Sequence, residues 1–154
     1  FINKVNTDYT HTGTLLPTVI HSFEILPNTC SANDVLKFYL RHFSNSAGSK
    51  TIKLKANSVN DVSTATTIAT YTYTTTAPGV FPFKRSMFFK NSLTSQIMIN
   101  TTISHANDEV SYPNNGDHTL SLNFNNSVFI FIEVTLANAA DTFTMNLFNC
   151  KIER

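Results

Sequence analysis

Residues Ile20–Asn57 read IHSFEILPNTCSANDVLKFYLRHFSNSAGSKTIKLKAN, and their rhythm decides the fold. In Val35–Phe43, Leu36, Phe38 and Leu40 share one side of an extended chain, and Lys37, Tyr39 and Arg41 the other. In Lys50–Ala56, Ile52, Leu54 and Ala56 oppose Thr51, Lys53 and Lys55. A period of two turns one face to a core and one to water. Between the runs lie a Pro-Asn loop and a Ser-Asn-Ser-Ala-Gly-Ser turn, both rich in turn formers. This is an all-β meander with no catalytic motif in it.

The pattern continues outward. Thr66–Thr75 (TTIATYTYTT) is almost wholly β-branched or aromatic, a mixture that strands favour. Its Ala69, Tyr71 and Tyr73 oppose Ile68, Thr70 and Thr72. Val80–Lys90 sets Phe81, Phe83, Met87 and Phe89 on one face around Arg85. Strands are also expected at Gln96–Ile103, His118–Phe124 and Val128–Leu136. In Thr142–Ile152 the apolar set runs Phe143, Met145, Leu147 and then Phe148, Cys150, Ile152. That change of parity predicts a β-bulge near Leu147–Phe148. Eight to nine strands at short intervals, with no helix of convincing length, predict an antiparallel two-sheet β-sandwich of jelly-roll type. Residues 19–154 form the expected single domain, and 1–18 an N-terminal connecting segment.

Some motifs in the first third resemble known modules. Ile25, Pro27, Asn28 and Thr29, with the later block Lys50-Thr51-Ile52-Lys53-Leu54, are similar to the β-sandwich modules of bacteriophage tail-fibre and other receptor-binding virion proteins. There a strand ends in I-P-A-N-T-L and a later one reads K-T-I-R-L. Leu26 and Cys30 depart from that loop. The resemblance implies a virion setting, a homotrimer, other virion proteins as partners and adhesion to a host-surface carbohydrate. Its alternatives are a structural capsid-decoration, head-fibre or tail-assembly domain, and a glycan-degrading tail enzyme.

Composition narrows the field. Only 14% of residues are charged, so Thr, Asn and Ser hydrate the surface or neighbouring subunits cover it. A net charge of +1 gives no case for nucleic acid, which needs a basic stripe. Lys50, Lys53 and Lys55 form a small local cluster, read as a solvated or edge-protecting strand face. The longest apolar run, Val128–Ile132, falls far short of the ~20 residues of a membrane span, so no membrane insertion is expected. Cys30 and Cys150 are read as two free, apolar-behaving thiols, with a bridge between them the alternative. The chain opens on Phe1, as expected of a processed product or of one end of a longer protein.

No catalytic, cofactor or metal site is expected. The adjacent carboxylates Asp108 and Glu109 sit on one loop, where the two-sided geometry of glycoside hydrolysis is hard to reach. His105, Asp108, Asp117 and His118 bracket that loop but match no metal-ligand spacing. Sugar binding is the best-motivated chemistry. Tyr112, Asn114, Asn115 and Asp117 place an aromatic ring beside forked amide and carboxylate groups on a Pro/Gly-shaped loop. For self-association the candidates are Phe88, Phe129 and Phe131, on strands that are apolar on both faces.

Overall fold

The computed structural model describes residues 1–44, 48–75, 79–99 and 118–154. Eleven strands occur among them: β1 (Asn3–Val5), β2 (Tyr9–Thr12), β3 (Thr18–Ile25), β4 (Val35–Ser44), β5 (Gly48–Asn57), β6 (Thr66–Thr75), β7 (Gly79–Phe89), β8 (Gln96–Met98), β9 (His118–Leu120), β10 (Val128–Leu136) and β11 (Thr142–Glu153). All pairings are antiparallel. The first sheet runs β1-β11-β4-β7-β8-β9, with β2 also on β11; the second runs β3-β10-β5-β6. Setting the order β1-β11-β4-β7 against β3-β10-β5-β6 gives the interleaved Greek keys of a jelly roll. The β-sandwich expected from the period-two pattern is therefore the fold. No helix among the described residues is long and apolar enough to cross a membrane.

The core is the sum of the inward parities. Leu36, Phe38 and Leu40 of β4, Ile52 and Leu54 of β5, Tyr71 and Tyr73 of β6, and Phe83 and Met87 of β7 are all buried. Rings meet across the two sheets: Tyr71 lies 5.7 Å from Phe83, and Phe148 5.5 Å from both His21 and Phe23. The Pro-Asn loop obeys local chemistry. The Thr29 amide donates to the Leu26 carbonyl at 3.2 Å, with Pro27 second in the turn and Asn28 third at φ +63°. Proline followed by a left-handed residue is the type II preference.

Three bulges adjust the faces. In β11 the register against β4 slips between Met145 and Leu147, so Asn146 is the extra residue. Phe143, Met145, Phe148 and Cys150 then all point inward, while Leu147 turns out and stays half-buried. The expected parity change is real and falls one residue earlier than Leu147. A second slip in β6 skips Ile68, which is buried alongside Ala69 rather than opposing it. A third skips Ile20 in β3.

Two expectations need correction. Residues 1–18 are more than a connecting segment: Asn3–Val5 pair with Phe148–Cys150 and Tyr9–Thr12 with Thr142–Met145, so these two strands join the first sheet. Runs of three and four residues are too short to show a period. Lys50 is not on a solvated face with Lys53 and Lys55. It shares the inward parity of Ile52 and is fully buried, with Nζ 3.5 Å from Asp141 Oδ2 and donating to the Gly48 carbonyl at 3.1 Å.

That ion pair belongs to a polar cluster at one end of the sandwich. His42 lies between the sheets, with Nδ1 3.1 Å from the Tyr73 hydroxyl and its ring stacked on Phe143 at 4.9 Å. Burial, and then the Lys50 charge, push the His42 pKa down to about 3, so the ring is neutral. Burial is also the main cause raising the Tyr73 pKa. Cys30 and Cys150 are buried free thiols, pushed up by burial to about 11 and about 12 respectively. Both are protonated at neutral pH and behave as small apolar side chains.

Candidate functional site

The outward faces of β4, β7 and β11 build a surface where aromatic, amide and ammonium groups converge and a groove opens. The bulge at Asn146 makes it: beyond it Phe148 and Cys150 face the core, and Asn149, Lys151 and Glu153 take the outer face. On β4 the outward residues include Lys37, Tyr39 and Arg41, and on β7 Lys84 and Ser86.

Strand register arranges these side chains in rows. Lys4 on β1 pairs with Asn149, Asn149 with Tyr39, and Tyr39 with Lys84. Strands lie about 4.8 Å apart, so this four-strand row spans roughly 14 Å. The next row is Lys151, Lys37 and Ser86. Phe1 at the edge and Lys37, Tyr39, Lys84, Ser86, Asn149 and Lys151 from these rows line an open groove of about 610 Å³, within the size range of small-ligand sites, and Lys4 stands beyond its lining at the end of the row.

The groove has a definite electrostatic character. Lys84 Nζ sits 5.6 Å from the centre of the Tyr39 ring, and Lys4 Nζ 5.7 Å from that of Phe1, both within cation–π range. Lys37 and Lys151 both donate to Glu153, at 2.5 and 2.8 Å on its two carboxylate oxygens. These bonds, from Lys151 first and then Lys37, hold the Glu153 carboxyl below the usual carboxylate range. Among the described residues, four ammonium groups thus share a face with one carboxylate that is already bonded to two of them.

Tyr112, Asn114, Asn115 and Asp117 lie outside the described residues, as do His105, Asp108 and Glu109. His118 opens β9, opposite Met98. Among the described residues, no group of three or more His, Cys, Asp or Glu is disposed to hold a metal ion.

Of the residues expected at a subunit interface, Phe88 is 38% exposed on the first sheet. Phe129 is half-buried on the second sheet. Phe131 is only 4% exposed within its own chain, flanked across the ladders by Ser22 and Lys55. The three do not form one patch. The groove residues gave no local sequence signal, because Lys4, Tyr39, Lys84 and Asn149 are joined only by strand pairing.

No protein-family model matches the chain, and no curated protein matches it in sequence. Two solved structures are similar in outline. One is a candidate sugar-binding protein from Bacteroides thetaiotaomicron, at 8% identity and a TM-score of 0.46 over 86% of this chain. The chain spans 66% of that protein's length. The other is a family 18 polysaccharide lyase, at 11% identity and a TM-score of 0.40, covering 87% of this chain and 79% of the lyase.

Proposed function

We propose that this chain is a non-catalytic glycan-binding module, the β-sandwich head of a tail fibre or related receptor-binding virion protein. Its glycan lies on the outer face of the first sheet. The observation that carries this reading is the row Lys4–Asn149–Tyr39–Lys84 across four strands. An aromatic ring offers a platform for the apolar face of a pyranose, and the flanking amide and ammonium groups donate to its hydroxyls. The strands that hold them are rigid, so little order has to be created on binding. Among the described residues Glu153 is the one carboxylate placed on this face, whereas glycoside hydrolysis uses a pair about 5–10 Å apart. The virion setting rests on the resemblance of the Ile25–Thr29 and Lys50–Leu54 motifs, and that setting implies a homotrimer.

A glycan array probed with the labelled full chain, followed by calorimetry on the best ligand, tests the reading. Binding that falls at least tenfold in Tyr39→Ala, with an unchanged circular dichroism spectrum, is expected. Binding that Tyr39→Ala leaves intact would move the site away from this face. A folded chain that binds no glycan and does not adsorb to cells would favour a purely structural virion role.

A further inference from the structure

We infer that the groove selects an anionic saccharide, one bearing carboxylate or sulfate groups, over a neutral one. This deepens the glycan reading above and rests on it. The first observation is charge. Among the described residues, Lys4, Lys37, Arg41, Lys84 and Lys151 lie on this face beside the one carboxylate of Glu153. The whole chain carries a net charge of only +1, so this local excess of cations is a feature of the face and not of the composition.

The second observation is geometry. Lys37 and Lys151 stand side by side on neighbouring strands and converge on the two oxygens of one carboxylate. Glu153 therefore demonstrates, within the chain, that this pair forms a carboxylate seat. All three side chains are 41–43% exposed, so Glu153 can swing aside into water and leave the seat to a ligand carboxylate. Lys4 and Lys84 stand at opposite ends of the long row, whose four strands span about 14 Å, with Tyr39 and Asn149 between them. A saccharide crossing the strands thus meets a cation at either end and a stacking ring midway. A neutral glycan would leave the excess cations without a counterpart. An extended nucleic acid would need a longer basic track than these two rows supply.

Calorimetry on the full chain tests this with tetramers of galacturonate, mannuronate and glucuronate, each beside its methyl ester, which keeps the sugar backbone and removes the charge. The acid form of at least one tetramer should bind about tenfold tighter than its ester in about 0.05 M salt, and the advantage should shrink in about 0.5 M salt. Lys84→Gln and the double variant Lys37→Gln/Lys151→Gln should each lower the acid-to-ester ratio. Glu153→Gln should raise affinity for the acid form, because the internal competitor is gone.

Esters that bind as tightly as the acids would overturn the anionic preference and leave the glycan reading standing. If acids, esters and a sulfated glycosaminoglycan tetramer all fail to bind, the anionic selection falls, and the glycan array decides the glycan reading separately. Poly-glutamate or a single-stranded oligonucleotide binding equally well at matched charge would make the face a general anion patch and overturn selection for a saccharide.

Discussion

Lysine meets carboxylate in two contrasting places. At one end of the sandwich Lys50 faces Asp141 with 0% and 5% of the side chains exposed. On the outer face of the first sheet Lys37 and Lys151 hold Glu153 with 41–43% exposed. The chemistry is the same and the consequence opposite. A buried pair cannot be separated without stranding a charge in a low-dielectric interior, so it serves the fold. An exposed pair contributes little to stability, because water and salt compete for both partners. Its groups are free to exchange partners, which is what a binding surface needs.

The largest test of this contrast is Lys50→Ala. It leaves Asp141 buried without its cation, and unfolding should become easier by about 3–5 kcal/mol. That corresponds to a fall in melting temperature of about 10 °C for a domain of this size. The double variant Lys50→Met/Asp141→Leu should recover most of the loss, because an apolar pair of similar volume needs no counter-charge. A single variant that costs nothing would mean the cluster is not a lock.

Next comes Gly48→Ala. Gly48 has φ +121°, and a β-carbon there would stand 2.5 Å from Asp141 Oδ2. Chemical denaturation should register a loss of about 1–3 kcal/mol from backbone strain, with further cost as Asp141 is displaced.

A third test uses pH. His42 is buried neutral with a pKa of about 3, against 6.5 for the unfolded chain. Between these values the unfolded state holds a proton that the folded state does not. Stability is therefore fully present above about pH 6.5 and is lost as pH falls toward 3. The melting temperature of His42→Gln should be lower at neutral pH but should decline less steeply over that window. Parallel slopes in the two proteins would remove His42 as the sensor.

The smallest stability effect is expected on the exposed side. Lys37→Ala and Lys151→Ala should leave the unfolding midpoint within error of the parent, while glycan affinity drops. A marked loss of stability from either would show that the outer-face cluster is structural too.

How far the sequence reveals these features follows from the range of the interactions. Alternation within each strand correctly assigned Leu36, Phe38 and Leu40 against Lys37, Tyr39 and Arg41, because side-chain direction depends only on position along an extended backbone. It also revealed the bulge in β11, since an inserted residue must shift the buried set. Ile68 was set on the face opposite Ala69, because its bulge sits in a run where every residue is β-branched, aromatic or alanine. Lys50 had the inward parity of Ile52, but charge suggested water, and the reason it can be buried is Asp141, far away in the chain. Phe131 was legible as apolar and outward; that neighbouring strands already cover it was not. The loop centred on Tyr112 drew attention because its polar residues are consecutive.

By itself, then, the sequence determined an all-β chain, the inner and outer faces of its long strands and the turn at Pro27–Asn28, all set by neighbours a few residues apart. Tertiary structure alone decided the strand order, the recruitment of Asn3–Val5 and Tyr9–Thr12 into the first sheet and the meeting of Lys4, Tyr39, Lys84 and Asn149 in one row. The physical reason is that ladder pairing brings together residues from opposite ends of the chain, and a local period of two carries no information about which strand will lie beside which.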